Sequence, residues 1–311
     1  MFTSWNARAV GLVSTAAEAI ELAAGTGFDG VDLMVRDLVL AGESPRALRD
    51  RMDELGLQGG GFPLPVQWKG SSRQFIADLA DLPRYAEAAR VLGLRCTGTW
   101  VMPEFSPALN NEQQPGGLSI QRQAIAFHLE RLGRIARVLE DHQINFGLEI
   151  MGPAIFRTRQ SPAFIDTYGQ LTESLSALKE RHGNVGILAD AFHLFASGEA
   201  VEAVLGWGGE RVVWVHVADS AVPDRATILD HERLLPGEAG RADCKGLLKL
   251  LANQCYQGPV TVEPLSRCAS LHGLDSSTVA RKALASLRSI WPGKPTSNGS
   301  GTTSEHQTPT S

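Results

Sequence analysis

The chain has 311 residues, enough for one large α/β barrel or two ordinary domains, and is 43% hydrophobic and 20% charged. Its net charge of −5 offers no basic footprint for nucleic acid, and no apolar run is long enough to span a membrane. The start, MFTSWNARAVG, has no basic region followed by an apolar core, so no signal peptide is expected. Cys96, Cys244, Cys255 and Cys268 lack C-x-x-C spacing and point to reduced thiols in a cytoplasmic protein.

In chain order, Phe2 to Val10 reads as a short strand with a polar end, and Thr15 to Ala24 as a helix stopped by Gly25 and Gly27. Phe28 to Val35 is the second strand. A helix from Pro45 to Leu55 leads to the third, Leu57 to Pro65, where Gly59-Gly60-Gly61 either lets the backbone approach something closely or eases curvature. The helix Arg73–Leu92 precedes strand four, Leu94–Val101. Met102 to Gly117 is a loop long enough to form a lid. A helix over Leu118–His142 then leads to strand five, Ile144–Leu148, and Ser161–His182 reads as the next helix. Strand six is Val185–Ala189, apolar throughout, as in a parallel sheet buried on both faces. A short helix, Glu199–Leu205, leads to strand seven, Val212–Val215, and Asp219–Gly240 is a second long, charged loop. The helix Cys244–Asn253, strand eight at Pro259–Val262 and a closing helix at Ser276–Ile290 complete the pattern. Eight strand-then-helix units predict a single (β/α)8 TIM barrel over residues 1–292. From Gly293 the residues are Ser, Thr, Gly and Pro with almost nothing apolar, so 293–311 is expected to be a disordered tail.

Four consecutive strands each end in a ligand-type residue: Glu149, Asp190, His216 and Glu263. Parallel barrel strands bring these ends into one arc. Three carboxylates in one cleft repel, and a divalent cation removes the conflict. Three oxygens and one imidazole suit Mn²⁺, Mg²⁺, Co²⁺ or Zn²⁺. Taken singly, each residue is equally well an ordinary strand-end polar group; it is their shared register that points to a metal. His193, three residues after Asp190, falls beside the metal or is a core histidine bonded to backbone. Asp219 orients either the loop or His216, or is a plain loop carboxylate. Trp5, Asn6, Asp32 and Trp100 are candidates to wall the pocket, and Arg157 and Arg225 read as solvated loop cations.

The chain resembles the xylose-isomerase-like TIM-barrel superfamily, also called the sugar phosphate isomerase/epimerase family. The resemblance rests on GFDGVDL (27–33), Leu148-Glu149, the D-x-x-H of Asp190 to His193, the V-H-x-x-D of Val215 to Asp219, Pro236-Gly237-Glu238, and the G-x-x-x-V-E ending at Glu263. It implies that Glu149, Asp190, His216 and Glu263 are metal ligands. It also implies that His193 and Arg233 contact substrate, as in D-tagatose 3-epimerase-like members. The segment from Asp230 to Gly240 most resembles the inosose isomerase branch. Two departures concern substrate identity. IMGPAIFR after Glu149 lacks the downstream glutamate of the epimerase-like members, and Ala239-Gly240-Arg241 replaces a tighter Gly-x-Gly.

The expected activity is isomerisation or epimerisation of a keto-sugar or keto-inositol through a metal-stabilised enediolate, with Glu149 and Glu263 as acid/base. The alternative is a lyase or dehydratase acting on a keto-inositol or 3-keto-glycoside at the same site. A non-catalytic sugar-binding barrel and an endonuclease-IV-like phosphodiesterase are the remaining readings; the second is disfavoured by only two histidines in the strand-end set and by the acidic balance. The implied partner is a small sugar or cyclitol, not nucleic acid or membrane, and self-association into a homo-oligomer stays open.

Overall fold

The computed structural model describes residues 1–105 and 119–293. Most of the proposed lid and all but the first residue of the expected tail therefore lie outside the described residues. In chain order the elements are β1 (Phe2–Trp5), α1 (Ala16–Thr26), β2 (Gly30–Val31), α2 (Val35–Leu40), α3 (Pro45–Glu54), β3 (Gln58–Gly59), β4 (Gly61–Pro63), α4 (Ser72–Leu92), β5 (Cys96–Val101) and α5 (Ile120–Asp141). They continue with β6 (Asn145–Ile150), α6 (Tyr168–Ser174), α7 (Ser176–Arg181), β7 (Val185–Asp190), α8 (Ala191–Ser197), β8 (Val212–Val217), β9 (Asp219–Ser220), β10 (Arg233–Leu234), α9 (Cys244–Asn253), β11 (Pro259–Val262) and α10 (Ser276–Ile290).

Nine strands pair in parallel in the order β3-β2-β1-β11-β8-β7-β6-β5-β4. Gly60 divides one barrel strand in two: β3 pairs with β2 and β4 pairs with β5. That single segment closes the ring, giving the α/β TIM-barrel architecture expected from the strand–helix alternation. The glycine run is there for close approach. A Cβ on Gly60 would collide with the Asp32 carboxylate and the Ser4 hydroxyl, and one on Gly61 would meet the Trp214 ring at 2.5 Å.

The bore is filled by Cys96, Leu188 and Trp214. Below the mouth Asp32 accepts from Ser4 Oγ and Thr261 Oγ1, both at 2.6 Å, and from the Gly61 N–H at 2.7 Å. Burial pushes the Asp32 carboxyl above its usual range, against these hydrogen bonds. The main core lies between strands and helices. Helix α4 buries Phe75, Leu82, Tyr85, Ala86 and Ala89, a three-to-four spacing that forms one apolar stripe. Helix α1 begins in a capping box between Thr15 and Glu18.

Several elements differ from the sequence reading. Strand one stops at Trp5, strand two pairs only over Gly30–Val31, and helix α2 follows it. The expected helix Ser161–His182 starts only at Tyr168 and breaks at Leu175. Ala163 bridges Glu104, and the Glu199 carboxylate takes the Tyr168 and Gly169 N–H groups, which fixes the later start. Helix α8 escapes pattern reading because Ala191, Phe192, His193, Leu194 and Ala196 are all buried, leaving no polar face. The expected helix Glu199–Leu205 is a 3-10 turn over Val201–Leu205.

Candidate metal centre

The barrel register brings the strand ends together. Asp190 is paired with His216 across β7 and β8, and the Glu263 N–H bonds the Val217 carbonyl at 3.0 Å. Glu149, Asp190, His216 and Glu263 each present one ligand atom, and these atoms all lie within 4.8 Å of one another. Glu149, Asp190 and His216 are buried, and Glu263 is partly open to the cleft.

Asp190 is fixed most firmly. Its N–H donates to the Tyr168 hydroxyl at 3.0 Å, and that hydroxyl donates to the Leu188 carbonyl at 2.7 Å. Its Oδ1 caps α8, accepting from the Phe192 N–H at 2.6 Å and the His193 N–H at 3.0 Å. Only Oδ2 is left to face the cleft.

A hairpin that sequence patterning read as plain loop delivers the neutralising cation. Strands β9 and β10 form an antiparallel ribbon in which Arg233 pairs with Ser220. Asp219 braces it, accepting from the backbone N–H groups of Ser220, Ala239, Gly240, Arg241 and Ala242. This assigns Asp219 to orienting the loop. Arg233 Nη1 donates to Asp190 Oδ2 at 2.8 Å and to Glu263 Oε2 at 3.2 Å, and Nη2 to Asp230 Oδ1 at 2.7 Å. The guanidinium also stacks on Phe192, 4.4 Å from the ring centroid. His193 Nε2 sits 3.1 Å from Arg233 Nη2, while the Gly152 N–H points to its Nδ1 at 3.3 Å. His193 and Arg233 therefore both border the carboxylate cluster.

The electrostatics are those of crowded carboxylates. Burial, and then Asp190, push the Glu149 carboxyl well above the usual range. Burial opposes the charged form of Asp190 as well, but Arg233, His193 and His216 outweigh it and hold its carboxyl at about 2. Burial also opposes protonation of His216, yet the carboxylates around it, Glu263 foremost, raise its imidazole to about 9.

Among the described residues Glu149 Oε1 and both ring nitrogens of His216 are buried without a hydrogen-bond partner. His216 Nδ1 lies 3.1 Å from Glu263 Oε2, a close charged approach. Such orphaned atoms are costly unless something fills the space between them. A divalent ion fits that need, and the oxygen-plus-imidazole set suits it.

Other expected wall residues divide. Trp5 packs into the core against Phe28, with ring centroids 5.4 Å apart, and Asn6 hydrogen-bonds Asp32 inside the barrel at 3.4 Å. Trp100, the register partner of Glu149, is 48% exposed and faces the mouth. Arg157 pairs with Asp166 at 2.6 Å, and Arg225 lies on the Phe195 ring. Sequence reasoning missed Lys69, Asp230 and Tyr168. Nothing in QWKG marks Lys69 except its place after the third barrel strand, and Tyr168 was hidden inside an over-long helix.

A family model of the xylose isomerase-like TIM barrel matches residues 20–290. The chain belongs to that family. A 3-dehydroshikimate dehydratase of Pseudomonas putida is 25% identical over 288 residues, covering 90% of this chain and 40% of the relative. The chain thus spans less than half the length of that relative. An inosose isomerase of Bacillus velezensis is 25% identical over 134 residues, covering 43% of this chain and 44% of the relative. Among solved structures, a xylose isomerase domain protein from Alicyclobacillus acidocaldarius superposes with a TM-score of 0.78 at 25% identity, covering 93% of this chain and 98% of its own. No helix among the described residues is long and apolar enough to cross a membrane.

Proposed function

We propose that this chain is a divalent-metal-dependent enzyme that abstracts the proton α to the carbonyl of a polyhydroxy ketone, a keto-sugar or keto-cyclitol, and thereby isomerises or epimerises it. The observation that carries this reading is the convergence of Glu149, Asp190, His216 and Glu263, which brings together three buried polar atoms, Glu149 Oε1 and both His216 ring nitrogens, without a hydrogen-bond partner among the described residues.

When bound by those four residues, a divalent ion supplies Lewis-acid polarisation of the substrate carbonyl. The protein's own groups do the rest. Glu149, buried at the end of β6 with Oε1 turned to the cluster, is suited to take the α-proton through its carboxylate. Glu263, on the far flank at the end of β11, is more open to the cleft and is suited to return a proton from the other side. His193 and Arg233 border the same point of the cleft and are suited to position the substrate's oxygens. Two carboxylates on opposite flanks serve epimerisation. One of them carrying the proton between neighbouring carbons serves isomerisation.

A second reading, dehydration, is favoured by a specific observation. The match to 3-dehydroshikimate dehydratase extends over 90% of this chain. Loss of a β-hydroxyl after the same proton abstraction gives that outcome. The test is a metal-supplemented incubation of keto-sugars, inososes and 3-dehydroshikimate in D₂O, followed by NMR. Solvent deuterium beside the carbonyl supports the shared step, and a new isomer against an unsaturated product separates the two outcomes. No deuterium in any ketone would count against the proposal.

A further inference from the structure

The mouth of the barrel is electrically divided. On the side of β6 to β11, Asp190, Asp230 and Glu263 pair with Arg233, and Glu149 joins Asp190 and Glu263 in the ligand cluster. On the other side a cavity of about 310 Å³ opens between the loops after β2 and β4 and the end of β5. Its charged lining residues are Arg8, Arg36, Asp37 and Lys69, three cations to one carboxylate. Arg8 is paired with Asp37 at 3.0 Å, which leaves Arg36 and Lys69 with no ion pair among the described residues.

Lys69 is held in place without being neutralised. Its Nζ donates one hydrogen to the Trp100 carbonyl at 2.8 Å and lies over the Trp100 ring, 4.1 Å from its centroid, and near Trp68 at 5.2 Å. The other two N–H groups have no acceptor among the described residues. Trp100 is level with Glu149 in the β5–β6 register, so both side chains point to the same face of the sheet. Lys69 therefore stands on the rim directly beside the proposed base.

We propose that this cavity is the subsite for an anionic substituent of the ketone, a carboxylate or a phosphate, with Lys69 as its principal contact and Arg36 at the outer edge. A ketone whose oxygens lie at the acidic centre then reaches across Trp100 to place its negative group on the basic side. This deepens the functional reading above and rests on it for the orientation of the ketone.

The test is calorimetric titration of the Mn²⁺-loaded protein with 3-dehydroshikimate (a carboxylate), D-fructose 6-phosphate (a phosphate) and a neutral inosose. The expected result is that one anionic probe binds about tenfold more tightly than the inosose, the worth of one charge-assisted contact. Which anion wins identifies the group. Lys69→Met should remove that advantage and leave inosose binding unchanged, and Lys69→Arg should keep most of it. Arg36→Ala, an exposed substitution with no fold to disturb, should weaken only the anionic probe, by about threefold. Equal binding of all three, no binding of either anion, or a Lys69→Met loss shared by all three would overturn the subsite. Deuterium exchange into the inosose with no preference for an anion would overturn the subsite and leave the enolisation reading standing. Lys69-dependent anion binding with no exchange into any ketone would do the reverse.

Discussion

Arg233 Nη1 donates to Asp190 Oδ2 at 2.8 Å, and neither side chain is open to solvent. Asp190 is thereby split between two tasks, one oxygen capping helix α8 and the other held by the guanidinium at the acidic centre. The arginine lets a crowded set of carboxylates fold before any ion arrives, and an arriving ion must share Asp190 and Glu263 with it.

Removing the guanidinium alone leaves buried carboxylates uncompensated, which costs about 3–5 kcal/mol when one partner of a buried pair is deleted. Arg233→Met should therefore lose about that much stability in chelator and distinctly less in Mn²⁺, because the ion replaces the missing charge. Urea denaturation under both conditions measures it. An equal loss in both would show that Arg233 and the ion do not compete for the same carboxylates.

The four ligand-type residues were legible in the sequence because each ends an apolar strand, and parallel strands make neighbouring ends meet. The arginine ribbon was less legible. Two-residue strands such as Asp219–Ser220 and Arg233–Leu234 carry no periodicity, and the fold of that loop is set by one side chain, Asp219, gathering five backbone N–H groups. Helix α8 was hidden for the opposite reason, since burial on all sides erases the amphipathic signal. The glycines at 60 and 61 could be read as close contacts only once Asp32 and Trp214 were known to lie beneath them.

An ion that binds only the native protein stabilises it by about 2.7 kcal/mol at a hundredfold excess over Kd. Chelation should lower the melting temperature accordingly. Asp190→Ala should be less stable from the start, by more than the about 1 kcal/mol of the lost helix cap because it also strips the buried Arg233 of a partner, and should no longer respond to chelator. A variant that still responds fully would place the ion elsewhere.

His128 gives the fold a pH dependence of predictable sign. It sits among Trp68, Phe105, Phe127 and Phe164, with Nδ1 2.7 Å from the Ala124 carbonyl, and burial draws its imidazole down to about 4. The unfolded chain takes up the proton below about 6.5, while the folded chain refuses it until about 4. Stability must therefore fall as pH drops through that window, by about 2 kcal/mol between pH 7 and pH 5 from this group. His128→Leu should flatten that part of the profile, and an unchanged slope would assign the dependence to other groups.

Glu149→Gln and Glu263→Gln separate the two proposed proton carriers. An amide oxygen can still act as a ligand but cannot accept the proton, so both variants should retain some metal and lose turnover by about 10²–10⁴-fold. In a two-base epimerase each variant still exchanges the α-proton of one epimer without inverting it. In a one-base isomerase only one substitution stops exchange. Full turnover in either variant would remove that glutamate from the chemistry.

The most direct test of the central claim is solvent-deuterium exchange into a bound ketone, measured by NMR on the metal-loaded enzyme and on the same enzyme after chelation. Metal-dependent enolisation predicts deuterium at the carbon beside the carbonyl in the loaded enzyme, its loss on chelation, and its return when Mn²⁺ is restored. Exchange that continues at the same rate in chelator would contradict the account.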